Sequence, residues 1–119
     1  MARLRAVITT MLRKWFRRRR PALIYSDIRT VESMNDVPNK FTNEIYLVAR
    51  GDTYRWALLM CPCGCGERLD VNLMRTSNPH WRLTLKKGKV SLSPSIWVTG
   101  DKCGSHFWLI ENRLHWFGK

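Results

Sequence analysis

The sequence predicts a mainly β domain: a small antiparallel sheet or sandwich of seven or eight short strands. It is stapled by a zinc site and preceded by a basic amphipathic helix. Three observations predict this. From residue 22 onward apolar and polar residues alternate in short runs, turn residues punctuate those runs, and four cysteines with one histidine fall in two short windows beside run ends. The length of 119 residues suits one ordinary domain. An apolar fraction of 45% with six tryptophans excludes a disordered chain. No stretch approaches the ~20 consecutive apolar residues of a membrane-spanning helix.

The first element is the helix. Leu4, Val7, Ile8, Met11, Leu12 and Trp15 form a stripe at helical spacing, and Arg3, Arg5, Arg13, Lys14 and Arg17 lie opposite it. Pro21 ends the segment, so the chain divides into a helical arm, 1–20, and a β domain, 21–119. The formal charge of +12 belongs mostly to that arm, which holds eight of the 21 basic residues and no acidic one. The segment Ala6–Leu12 runs into arginines instead of a small-residue cleavage site, which argues against a secretory signal and for a cytoplasmic protein. Arg13, Lys14, Arg17, Arg18, Arg19 and Arg20 are the candidates for an anionic partner, either nucleic acid or a membrane surface. The bland alternative is a solvated extension resting on the domain.

The strands follow in order. Leu23–Tyr25 with Ile28–Val31 is the first, and a polar turn spans Glu32–Asn39. Glu44–Val48 and Tyr54–Met60 flank Arg50-Gly51-Asp52. Leu69, Val71 and Leu73 alternate with polar residues, as do Trp81, Leu83 and Leu85. Lys87-Gly88 turns the chain into Val90 and Leu92, where Ser93-Pro94 reads as a break. Phe107–Ile110 and Leu114–Phe117 flank Glu111-Asn112-Arg113 as a terminal hairpin, because Asn tolerates the positive φ of a tight turn. Five tryptophans between Trp56 and Trp116 are expected to build the core.

The two windows are Cys61-Pro62-Cys63-Gly64-Cys65 and, after 37 intervening residues, Cys103-Gly104-Ser105-His106. Tetrahedral zinc needs four sulfur or nitrogen ligands about 2.0–2.3 Å away. An extended strand would separate Cys61 and Cys65 by roughly 13 Å, so the segment must fold back as a knuckle, with Gly64 and Gly66 supplying positive φ. Five candidates, Cys61, Cys63, Cys65, Cys103 and His106, compete for four places around one Zn2+, with Arg68 and Lys102 offsetting thiolate charge. Four good ligands leave no open position, so the site reads as structural and no catalytic residue is assigned. Competing readings are a disulfide framework, an iron–sulfur centre and a nucleophilic Cys–His pair. His80 and His115 have no ligand-spaced neighbour and stay outside the site.

These motifs carry a resemblance. Cys61-Pro62-Cys63-Gly64-Cys65-Gly66-Glu67, Trp81–Leu85, Val90–Ile96, Cys103–Ile110 and Leu114-His115-Trp116 resemble, in order, a bacterial domain-of-unknown-function family with CxCGCG and CxSH motifs. That family looks zinc-binding and is often encoded beside ubiquitin-like conjugation genes. The resemblance covers about residues 25–117 and leaves the arm outside. It implies an adaptor or ligase-like accessory acting through contacts with an E1-like enzyme, an E2-like enzyme or a ubiquitin-like protein. The alternatives are a nucleic-acid-binding zinc module using the arm with Lys86, Lys87 and Lys89, and an enzyme with a reactive cysteine.

Overall fold

The computed structural model describes residues 24–99 and 102–117. The helical arm expected over residues 1–20, its charged face and the boundary at Pro21 lie outside the described residues.

Eight strands make two four-stranded sheets. The first contains β1 (Asp27–Val31), β2 (Glu44–Arg50), β3 (Thr53–Met60) and β4 (Arg68–Asn72), side by side in that order. The second contains β5 (Arg82–Lys86), β6 (Lys89–Trp97), β7 (His106–Ile110) and β8 (Arg113–Trp116), again in chain order. Every neighbouring pair is antiparallel except β1–β2, which is parallel. A parallel pair cannot be joined by a tight hairpin, and residues 32–43 supply the longer connection. They include a 3-10 turn at Met34–Asp36, where the Ser33 hydroxyl caps the Asn35 amide at 3.1 Å.

The sheets pack face to face around one core. Ile45, Leu47, Ala57, Leu59 and Val71 from the first sheet meet Val90, Leu92, Ile96, Phe107, Leu109 and Leu114 from the second. The alternation read from the sequence gives these inward faces. Strand β2 departs from alternation because it is buried on both sides. Tyr46 and Val48 point away from the main core, where Val31 of β1 and Met34, Val37 and Phe41 of the connection cover them.

Two expectations are corrected. The tryptophans do not build the core. Trp56, Trp81 and Trp116 lie half-buried against its margin, and Trp97 is 62% exposed. The fully buried aromatic rings are Tyr25 and Phe107, whose smaller outlines fit between sheets spaced about 10 Å apart. Nor does Ser93-Pro94 end a strand. Strand β6 runs through it, with a register shift against β7 between Leu92 and Ile96. A bulge accommodates proline because an unpaired residue needs no amide donor.

Both hairpins of the second sheet turn on two residues of positive φ, Lys87-Gly88 (52° and 73°) and Glu111-Asn112 (49° and 65°). This is the twist that a two-residue hairpin requires. Asn112 does more than turn. It is buried, its Oδ1 accepts from the Val90 amide at 2.6 Å, and its carbonyl accepts from the amide of Tyr25, two residues before β1. Asn112→Ala therefore strands a buried donor and strains the turn. The expected loss is about 2–3 kcal/mol, measured by urea unfolding. Asn112→Asp, which keeps the acceptor, should lose markedly less.

Candidate functional site

The chain leaving β3 folds into the knuckle that the cysteine spacing demands. The Cys61 amide donates to the Glu67 carbonyl at 2.8 Å, closing the loop, and the Gly64 amide donates to the Cys61 carbonyl at 3.2 Å. Gly64 and Gly66 adopt φ of 88° and 85°, a region that side chains with a Cβ rarely enter. Tyr25 anchors the approach from below, its hydroxyl donating to the Met60 carbonyl at 2.7 Å, and burial raises its pKa well above the ordinary tyrosine value. Lys40 donates to the Gly66 carbonyl from outside.

The knuckle meets the loop before β7. The sulfurs of Cys61, Cys63, Cys65 and Cys103 all lie within 4.8 Å of one another, and Cys61 is 3.5 Å from both Cys63 and Cys103. Four sulfurs held ~2.3 Å from one ion would stand about 3.8 Å apart, so the observed spacing fits a tetrahedral metal. It does not fit a disulfide, whose sulfurs are about 2.05 Å apart, and all four thiols are free. The buried Ser105 hydroxyl lies 3.0 Å from the Cys103 sulfur and 3.8 Å from that of Cys61. Hydrogen bonds from its hydroxyl and backbone bring the Cys103 thiol down to about 6, whereas burial pushes Cys61 up to about 12. The cluster thus pairs a ready thiolate with one that needs a cation to ionise. Among the described residues these four cysteines can hold a metal ion. The cations expected to offset their charge have other partners. Arg68 forks onto Asp70 at 2.9 and 3.1 Å, and Lys102 meets Glu67 at 3.3 Å, an ion pair that bridges the two windows.

His106, the fifth expected ligand, does not join the cluster. It is the first residue of β7 and faces Trp97 across the β6–β7 ladder. Its Nε2 lies 2.9 Å from the hydroxyl of Ser95. The bulge in β6 brings Ser95 there, and the Trp81 indole holds the strand by donating to the Ser95 carbonyl at 3.2 Å. Two aromatic rings enclose the imidazole. Trp97 stacks on it with centroids 5.2 Å apart and planes within 14°, and Phe117 with 4.0 Å and 12°. The Phe117 amide also donates to the His106 carbonyl at 2.9 Å. Among the described residues no carboxylate pairs with His106, so the site is a Ser–His pair whose ring is oriented by stacking.

Chemically, an imidazole nitrogen at hydrogen-bond distance from a serine hydroxyl is the arrangement that activates the hydroxyl as a nucleophile. Sequence reasoning put no role on Ser95. The available signal was a proline inside an otherwise good strand, since such prolines mark bulges and bulges gather beside active sites. Of the remaining candidates, Arg13, Lys14 and Arg17–Arg20 lie outside the described residues. Lys86, Lys87 and Lys89 sit exposed around the β5–β6 turn. His80 lies in the loop before β5, its Nδ1 2.9 Å from the Asn78 side chain. His115 lies in β8, half-buried. Among the described residues no helix is long and apolar enough to cross a membrane.

Residues 30–117 match the family model described as "Bacterial ubiquitination-like system serine protease (BubE)", and this chain belongs to that family. No curated protein and no solved structure matches it. The link to a bacterial ubiquitin-like system that the sequence motifs implied is thereby established, at the level of the family.

Proposed function

We propose that this BubE-family chain is a serine-dependent peptide hydrolase of a bacterial ubiquitination-like system, with Ser95 as nucleophile and His106 as its base. The observation that carries this reading is the 2.9 Å contact between Ser95 Oγ and His106 Nε2. The family description, a serine protease, supports the same chemistry. Ser105 is the other serine beside a reactive group, but its hydroxyl is engaged by thiols.

In the reaction, Ser95 Oγ attacks the carbonyl carbon of a peptide bond while its proton passes to His106 Nε2. The imidazolium then gives that proton to the departing amine, leaving an acyl ester on Ser95. Water, deprotonated by the same nitrogen, cleaves the ester and restores the hydroxyl. This reading replaces the non-enzymatic adaptor or ligase-like accessory role that the resemblance implied. Contacts with an E1-like enzyme, an E2-like enzyme or a ubiquitin-like protein then become encounters with a substrate or its carrier.

The cysteine cluster takes the structural part, as a Zn2+ site of Cys61, Cys63, Cys65 and Cys103. Soft thiolates in a closed tetrahedral set favour zinc, and the ion's contribution is to folding. Ser105 links the two sites: its hydroxyl contacts the Cys103 sulfur and the next residue is His106. Four free thiols poised for a metal suit a reducing compartment, which supports the cytoplasmic reading.

A fluorophosphonate probe tests the nucleophile. Peptide mapping should find one adduct, on Ser95. Ser95→Ala should remove it, and His106→Ala should slow labelling by about a hundredfold or more. An adduct on Ser105, or equal rates in all three proteins, would reject the assignment.

Elemental analysis tests the metal. The purified chain should carry one zinc, Cys61→Ser and Cys103→Ser should lose it, and His106→Ala should keep it. Chelation should destabilise the fold by up to on the order of 10 kcal/mol, read by thermal unfolding, and abolish labelling of Ser95. Full metal content in Cys61→Ser, or its loss in His106→Ala, would contradict this ligand set.

A further inference from the structure

We infer that the cavity beside Ser95 is a subsite for a carboxylate-bearing stretch of the substrate polypeptide; the inference rests on the hydrolase reading above. The cavity, about 860 Å3, opens at one end of the sandwich between the β2–β3 turn, the loop after β4, and strands β5 and β6. That volume suits several residues of an extended peptide.

Its position ties it to the nucleophile. Ser93 and Pro94, the two residues before Ser95, form part of the wall, and so does Trp81, whose indole holds the Ser95 carbonyl. A peptide presenting its scissile bond to Ser95 Oγ reaches this wall within a residue or two, at ~3.3 Å per residue.

Its charge selects the occupant. Arg55, Arg75 and Arg82 line the cavity, against one carboxylate, Asp52. Among the described residues none of these three guanidinium groups is paired with a carboxylate, whereas Arg29 and Arg68 both are. Arginine presents a planar fork that matches a carboxylate, and three of them around one hollow favour an anionic guest.

The wall is also built in advance. Asn72, half-buried at the end of β4, holds the loop from inside. Its Oδ1 accepts from the Met74 amide at 3.0 Å, and its Nδ2 donates to the Ser77 hydroxyl at 3.1 Å and the Pro79 carbonyl at 3.0 Å. Arg82 sits directly opposite Ser93 in the β5–β6 ladder, and the Arg55 carbonyl accepts from the Leu73 amide at 2.9 Å. The backbones that carry the arginines are therefore fixed before a substrate arrives, which limits the ordering cost of binding.

The test uses the full chain carrying Ser95→Ala, so that binding is read without turnover. Fluorescence anisotropy would compare three labelled peptides: Gly–Glu repeats with an amidated end, Gly–Gln repeats with an amidated end, and Gly–Gln repeats with a free terminal carboxylate. The acidic or the free-acid peptide should bind about tenfold tighter than the neutral amide, and added salt should erode the difference. A gain for the glutamate peptide identifies side-chain carboxylates as the guest, and a gain confined to the free acid identifies a chain terminus.

Arg75→Gln with Arg82→Gln should remove the preference, with thermal unfolding as the check that the variant folds. Equal binding of all three peptides by the parent chain would overturn the subsite without recourse to any arginine variant. So would a short oligonucleotide that outcompetes the acidic peptide at the same arginines. Labelling of Ser95 without a charge preference rejects the subsite alone, whereas a charge preference without labelling rejects the hydrolase alone.

Discussion

The meeting of four sulfurs is the constraint from which the rest of this structure follows. Cys61, Cys63 and Cys65 leave the first sheet between β3 and β4, and Cys103 enters the second just before β7. The cluster therefore joins the two halves of the sandwich at one end, and the Lys102–Glu67 ion pair spans the same two windows. Asn112, in the β7–β8 turn, also accepts from the amide of Tyr25, two residues before β1. A metal ion held by these four sulfurs would fix how the sheets face each other, and the loop carrying Cys103 leads directly to His106 at the start of β7.

The proposed nucleophile and base stand on adjacent strands of one sheet. Loops often carry catalytic side chains and gain adaptability from it. Here Ser95 and His106 belong to β6 and β7, and the ladder between those strands sets their spacing. Regular pairing opposes Trp97 to His106, and the Ser93-Pro94-Ser95 bulge re-aims the serine toward the same imidazole. The irregular part of the strand positions Ser95, and the regular part positions His106.

Much of the fold could be read directly. Short apolar or alternating runs located the strands, apart from the second half of β6, and glycine or asparagine marked both tight turns of the second sheet. What sequence patterning missed has a physical cause in each case. The parallel pairing of β1 with β2 depends on where the 32–43 connection lies down, which local alternation does not encode. The tryptophans were misplaced because hydrophobicity alone does not say whether a large ring fits a narrow interlayer space. At the site, the knuckle was legible from Gly64 and Gly66 and from ligand spacing. His106 looked like a ligand because it stands three residues after Cys103, as a metal-binding turn would place it. Its true neighbour, Ser95, is close only through strand pairing.

The stack around His106 has an electrostatic consequence for turnover. In the proposed reaction the imidazole that takes the serine proton becomes a cation lying between the faces of Trp97 and Phe117. Each aromatic face carries the negative lobe of a quadrupole, and a cation within about 6 Å gains roughly 0.5–2 kcal/mol from it. The gain exists only while the ring is charged, so it falls on the transition state and the tetrahedral intermediate, before the proton passes to the departing amine. In a Ser–His–Asp triad a buried carboxylate supplies that stabilisation. Here two uncharged rings lend it from above and below, and they leave the edge of the imidazole as the only route for its protons.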